Sequence, residues 1–152
     1  MNQTELDGAG SPSIPPHLYR FSIRLPIIYG DIDAQRHLNN VVYFTFMEHT
    51  RLSYVRALGL WGGTDFDALG MILAEATCTF KAPAYLGETI TVWARVSHMG
   101  TKSLHFEHVL ATERAEVATG HAVLVAYDYA EQRSIPIPDA WRAAIIAYEP
   151  GL

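Results

Sequence analysis

The chain has 152 residues and a net charge of −5, and 49% of its residues are hydrophobic while 18% are charged. This length and balance suit one globular domain with its own core, and the acidic charge argues against a nucleic-acid-binding protein. No apolar run approaches the length of a membrane span, and the single cysteine excludes an internal disulfide.

The first 17 residues are polar and rich in glycine, serine and proline. They predict a flexible leader before a domain that spans 18–152. The leader lacks a basic segment followed by an apolar one, so we do not expect a secretory signal. With one cysteine, this favours a cytoplasmic protein. Residues 18–29 then alternate imperfectly around Pro26, which predicts an edge or first strand.

A long apolar segment follows the polar stretch 30–40 and ends at Gly59. Asn39 or Asn40 is a suitable N-cap and Gly59 a suitable C-terminal signal, so we predict one helix of about five turns. Apolar residues fall on nearly every side of it, which predicts a helix that is buried on most sides.

Four strand-like segments and a short terminal helix complete the chain, at 71–83, 88–98, 103–111, 116–129 and 138–148. The last three strands show a period of two, and the final one has mostly small residues on one face, which allows another element to approach closely. An α+β fold satisfies this order, in which an antiparallel sheet of about five strands wraps around one long central helix.

The residues best suited to chemistry lie just before the long helix. Asp33 can act there as a general base or as a nucleophile. The first helix amides, at Asn40 and Val41, are unpaired and carry partial positive charge, so they can receive a carbonyl oxygen. His37 and Asn39 can orient the carboxylate, a water molecule or the carbonyl. These parts suit thioester hydrolysis, because a thiolate leaves readily without a strong acid or a metal.

Each of these residues also has a purely structural interpretation. Asp31 and Asp33 can both be turn or capping residues, and we expect Asp31 to orient the turn. Asn39 and Asn40 are natural helix caps, and His37 can hold the turn together.

The segment from Tyr29 to Tyr43 resembles the signature of hot-dog thioesterases of the 4-hydroxybenzoyl-CoA thioesterase type, a D-x-D turn followed by H-[VL]-N-N-x-x-Y. The run from Phe80 to Glu88 and the loop from Pro136 to Asp139 are similar to that family too. Arg36 departs from it, because the family often has glycine there and a positive φ is costly for arginine. The resemblance implies a hot-dog fold and hydrolysis of an acyl-CoA, or a related acyl thioester, by Asp33.

The resemblance also implies subunits paired edge to edge with active sites at the interface, so we expect a homodimer or a tetramer of two dimers. Coenzyme A is then part of a small-molecule substrate, no cofactor is expected, and neither nucleic acid nor a membrane is a partner. Candidates for the acyl and coenzyme A contacts, which plain core or surface roles would also explain, are Tyr43, Phe44, Trp61 and Lys81. Glu48 is a second-choice carboxylate, although it fits an ion pair with Arg51.

Other chemistry is less well supported. His105 and His108 point to opposite faces of a strand, so they do not share a metal ion simply, and we predict no metal site. Cys78 lies in an apolar run and fits a small core residue better than a nucleophile. Two alternatives to hydrolysis stay open: a hot-dog hydratase or dehydratase, and a module that binds acyl-CoA without turnover.

Overall fold

Six strands and two α-helices follow one another over the described residues, 17–152 of the computed structural model. Residues 1–16 of the predicted leader lie outside them. The elements in chain order are β1 (Phe21–Pro26), α1 (Asn40–Ala57), β2 (Met71–Phe80), β3 (Thr89–Met99), β4 (Ser103–Ala111), β5 (Glu116–Asp128), β6 (Arg133–Ser134) and α2 (Asp139–Tyr148). Within the described range, neither helix is long and apolar enough to cross a membrane.

The strands form one antiparallel sheet in the order β1-β3-β4-β5-β2, and the short β6 pairs with the end of β5. The sheet curls around α1, which confirms the predicted α+β hot-dog architecture. β2 is an edge strand, because only β5 pairs with it among the described residues. The two-residue β6 was not predicted, since a pair this short carries no periodicity.

The predicted period of two is confirmed on β3 and β4 by alternating burial. On β3 the alternate residues from Ile90 to Val96 are buried, and on β4 the same holds from Leu104 to Leu110. The small inward face of β5 lets α1 approach closely. A Cβ atom at Gly120 would lie only 2.1 Å from the sulfur of Met47 on α1.

The long helix begins and ends where the sequence predicts. Asn39 is its N-cap, and Gly59, just beyond its end, has a φ of +72°. Its burial is narrower than predicted, because the sheet covers one side only and leaves Val41, Glu48 and Arg56 exposed. The buried stripe has the helical spacing of three and four residues and consists of Tyr43, Phe46, Met47, Thr50, Arg51, Tyr54 and Val55.

A buried carboxylate ties the C-terminal end of α2 to α1 and the sheet. The Tyr54 hydroxyl donates to Oε1 of Glu149 at 2.6 Å, and the Val96 N–H donates to the same oxygen at 3.0 Å. Burial raises the pKa of Glu149, while the two hydrogen bonds oppose that shift. The hydrogen bond from Tyr54 therefore offsets part of the cost of burying a carboxylate.

Replacing Tyr54 by phenylalanine should lower the free energy of unfolding by about 1–3 kcal/mol, because a buried acceptor loses one of its two donors. Urea denaturation measures this change. Tyr29→Phe is the matched control, since that side chain is 86% exposed and its hydroxyl should matter by less than about 0.5 kcal/mol. Equal stability of the two variants would contradict the structural role given to the Tyr54 hydroxyl.

Candidate active site

The turn before α1 is organised by Asp33. Its backbone N–H donates to the carbonyl of His37 at 3.2 Å, and its own carbonyl accepts from Arg36 at 3.0 Å. Its Oδ1 accepts from the N–H of Gln35 at 2.8 Å. The other carboxylate oxygen, Oδ2, makes no hydrogen bond within the part of the chain that the structure describes. One oxygen thus shapes the turn and the other is available for chemistry.

Asp31 has the structural role predicted for it. Its Oδ2 accepts from the N–H of Ile28 at 3.0 Å, and its carbonyl accepts from the N–H of Asn39 at 2.8 Å.

Arg36 has a φ of +69°, which is the left-handed conformation that glycine adopts without penalty. Arg36, which departs from the family pattern, therefore adopts this positive φ under strain.

Replacing Arg36 by glycine should raise the free energy of unfolding by up to about 1 kcal/mol, because relief of left-handed strain exceeds the entropy that glycine adds to the unfolded chain. Arg36→Ala keeps the strain and serves as the control, so it should show no gain. Thermal denaturation of both variants measures the difference. A glycine variant less stable than the alanine variant would contradict this account.

The N-terminus of α1 offers one free amide. Oδ1 of Asn39 accepts from the N–H of Val41 at 3.1 Å, and the Asn39 carbonyl accepts from the N–H of Val42 at 2.9 Å. Asn39 is thus an N-cap, and the prediction that the Val41 amide is unpaired is wrong, because the cap occupies it. The N–H of Asn40 has no hydrogen-bond partner among residues 17–152, so it is the amide available to a carbonyl oxygen.

A cavity of about 470 Å³ brings five of the ten predicted site residues together: Asp33, His37, Asn40, Tyr43 and Lys81. Its lining residues are Asp33, Gln35, His37, Leu38, Asn40, Tyr43, Phe80, Lys81, Ala82 and Pro83. His37 places Nδ1 at 3.4 Å from the carbonyl of Leu38, which leaves its other ring nitrogen without a partner among the described residues. The cavity therefore combines a carboxylate, an imidazole and a free helix amide.

One wall of this cavity is aromatic. The rings of Tyr43 and Phe80 meet edge to face, with centroids 5.1 Å apart. Burial raises the pKa of Tyr43 to about 12, so its phenol stays protonated at neutral pH. The sequence did not single out Phe80 as a site residue, although it opens the run from Phe80 to Glu88 that resembles the family. It enters the site because β2 ends beside the first turn of α1.

Three of the predicted site residues, Trp61, Phe44 and Glu48, do not line this cavity. Trp61 is buried in the part of the core around Tyr54, where its Nε1 donates to the carbonyl of Asp65 at 2.6 Å. Phe44 packs half-buried against the core and does not line the cavity, and neither does Glu48. Phe44 and Glu48 lie on α1, where the direction of each side chain depends on how the helix is rotated against the sheet, and Trp61 lies beyond the end of the helix.

Lys81 lines the cavity and forms an ion pair with Glu116 on β5. Its charge is thus partly neutralised, which weakens the prediction that it binds coenzyme A phosphates.

The residues considered for other chemistry are Cys78, His105 and His108. Burial raises the pKa of Cys78 to about 11, so its thiol is protonated at neutral pH. On β4, His108 is buried beneath the sheet, whereas His105 lies on the outer face and stacks edge to face on His98 with centroids 5.0 Å apart. The two histidines therefore point to opposite faces, as predicted.

Comparisons with known proteins agree with this geometry. The model of the thioesterase-like superfamily matches residues 29–145. A thioesterase from Thermus thermophilus, solved with coenzyme A and zinc, is 26% identical with a TM-score of 0.75, over 85% of this chain and 94% of that one. A candidate thioesterase from Pseudomonas aeruginosa is 31% identical with a TM-score of 0.72, over 82% and 97%.

A gentisyl-coenzyme A thioesterase is 25% identical with a TM-score of 0.73, over 82% of this chain and 98% of that one. The superfamily match covers well over half of the chain and includes the turn, α1 and the strands β2 to β6. The chain therefore belongs to the thioesterase-like superfamily and is a hot-dog thioester hydrolase.

Proposed function

We propose that this protein hydrolyses an acyl-CoA to the free acid and coenzyme A, with Asp33 as the catalytic carboxylate. The observation that carries the proposal is the cavity that Asp33, His37 and Asn40 line together, with no hydrogen-bond partner for the Asn40 N–H among the described residues. The coenzyme A complex of the Thermus thermophilus relative and the substrate of the gentisyl-coenzyme A thioesterase support the choice of thiol. Coenzyme A is part of the substrate, so the proposal requires no cofactor.

Each group has a defined role in the reaction. The Asn40 amide, at the positive end of α1, donates a hydrogen bond to the thioester oxygen as negative charge develops on it. Asp33 either removes a proton from water, whose oxygen attacks the carbonyl carbon, or attacks that carbon itself to give a mixed anhydride that water then cleaves. In both routes the carbon–sulfur bond breaks and the thiolate leaves. His37 orients the water or the carbonyl.

The walls of the cavity separate the acyl group from solvent. Tyr43 and Phe80 present apolar surface next to the amide, and Leu38 and Pro83 extend it. We place the acyl or aryl group against these rings and the coenzyme A chain towards the open side, near Lys81.

The test is thiol release from aryl-, short-, medium- and long-chain acyl-CoAs, followed with a colorimetric thiol reagent. Turnover of one class supports the proposal and names the acyl group. Hydration of crotonyl-CoA, seen as loss of enoyl absorbance without thiol release, would instead identify a hydratase. Tight calorimetric binding without any turnover would identify a binding module.

We also propose that two copies pair through β2, as a homodimer or as a tetramer of such dimers. β2 is an uncovered edge that exposes Ile72, Leu73 and Phe80, and such edges invite pairing with another strand. Light scattering measures the mass directly, and a monomer at micromolar concentration would contradict the proposal.

That the enzyme works in the cytoplasm remains a prediction from its single cysteine.

A further inference from the structure

A second cavity contains a buried arginine that nothing in the described chain neutralises. Arg51 is 6% exposed, and its Nη1 has no hydrogen-bond partner among the described residues. Glu48, one turn earlier, does not come within the 4.0 Å of an ion pair, so the predicted pairing of these two residues is not formed. Burial lowers the pKa of Arg51, and Glu48 opposes this shift from a distance. The guanidinium nevertheless stays charged, as it does throughout proteins.

The residue that faces Arg51 from the sheet does not supply the missing negative charge. His108 on β4 is 1% exposed, and neither of its ring nitrogens has a hydrogen-bond partner in the described chain. Burial first, and the charge of Arg51 second, lower the pKa of His108 to about 3, although a backbone contact with Gly120 opposes this. His108 is therefore neutral, and the core here holds one net positive charge together with unused hydrogen-bonding atoms.

Unpaired buried charges and unsatisfied buried donors both cost folding free energy, so native proteins rarely keep them without a use. A ligand that brings an anionic group would remove both costs when it binds. The planar guanidinium suits a carboxylate in particular, since it can donate two parallel hydrogen bonds to the two oxygens.

The cavity has room for such a group and is otherwise apolar. Its volume is about 160 Å³, and its walls come from the second half of α1, the start of β2 and the middle of β5. Leu52, Met71 and Leu124 are among the lining residues, and Glu48 lies exposed on one side. An aliphatic chain that ends in a carboxylate matches this lining.

The two cavities lie towards opposite ends of the contact between α1 and β2. The cavity at Asp33 is lined by the first turn of α1 and the last residue of β2, whereas the cavity at Arg51 is lined by the second half of α1 and the first residues of β2. Asn40 and Arg51 are 11 residues apart on α1, which corresponds to about 16 Å along the helix axis. A chain held at Asn40 by its thioester therefore reaches Arg51 only if it is long.

We propose that Arg51 binds the distal carboxylate of the acyl group, so that the substrates are thioesters of long-chain dicarboxylic acids. This inference rests on the proposed function, because it places the thioester of the same molecule at Asp33 and Asn40. Glu48 lies beside the anion in this arrangement and opposes its binding. Glu48→Gln should therefore strengthen binding of the dicarboxylate.

The decisive experiment compares matched pairs of acyl-CoAs with and without a terminal carboxylate: hexanoyl and hexanedioyl, decanoyl and decanedioyl, hexadecanoyl and hexadecanedioyl. In the wild type, the ratio of kcat/KM for the carboxylated over the plain substrate should rise with chain length. In Arg51→Met the ratio for the long pair should fall about 10- to 100-fold, as expected for the loss of hydrogen bonds to a charged group. Arg56→Met, an exposed arginine on the same helix, is the matched control and should keep the wild-type ratio.

An unchanged ratio in Arg51→Met would overturn the inference and leave the proposed function standing. Calorimetry with free hexadecanedioate gives a second readout that needs no turnover, and wild type should bind it at least about 10-fold more tightly than Arg51→Met does. If no acyl-CoA is hydrolysed, the proposed function fails, but calorimetry still tests the Arg51 site. Equal binding of hexadecanedioate by wild type and Arg51→Met, or no binding by either, overturns the inference. Methionine is chosen because an apolar residue in place of an unpaired buried charge preserves the fold.

Discussion

Replacing Asp33 by asparagine should lower kcat/KM for acyl-CoA hydrolysis by about 10²- to 10⁴-fold, the usual contribution of a positioned general base. Asparagine keeps an oxygen at the Oδ1 position, which accepts the hydrogen bond from Gln35 at 2.8 Å, so the turn should persist. The substitution removes the negative charge of the carboxylate, whose Oδ2 makes no hydrogen bond among the described residues. The free energy of unfolding should therefore change little, and denaturation of the same sample checks this.

Asp31→Asn is the control, because this residue lies two positions earlier and uses its carboxylate only to accept from Ile28 within the turn. It should retain most of the wild-type turnover. Full activity in Asp33→Asn would show that the carboxylate of Asp33 has no catalytic role. An equal loss in both variants would show that the turn as a whole matters and not this carboxylate in particular.

Replacing Gly120 by alanine should lower the free energy of unfolding by about 1–3 kcal/mol, the usual cost of overpacking a core. The new methyl group would lie 2.1 Å from the sulfur of Met47 and 3.1 Å from the carbonyl of Thr77. Met47 is 0% exposed, so its side chain cannot move into solvent and must repack against neighbouring core residues. Urea denaturation measures the loss.

Gly30→Ala is the matched control for this substitution. A Cβ atom at Gly30 meets nothing within 4 Å, so its effect should stay within about 0.5 kcal/mol. A double-mutant cycle with Met47→Ala isolates the contact, since truncating Met47 provides room for the methyl group. The double variant should be less destabilised than the sum of the single variants, and simple additivity would mean that the strain at Gly120 arises elsewhere.

The sequence by itself determined the order of the elements and the candidate residues at the turn. Strand periodicity placed the buried faces of β3 and β4 correctly, because alternate residues of a pleated strand point to opposite sides whatever the strand packs against. Asn39 and Gly59 marked the ends of α1 for an equally local reason, since caps act within a few residues of the helix end. Asp33, His37 and Asn40 were found together because they are neighbours in one short segment.

Only the tertiary structure decided which partner each of the remaining groups meets. Phe80 reaches the cavity because β2 ends beside α1, whereas the aromatic side chain of Trp61 lies in another part of the core. Arg51 lies unpaired because the packing of α1 on the sheet buries it, while Glu48, one turn away, stays in solvent. Spacing along a helix shows which residues can pair, but burial and side-chain direction decide whether they do.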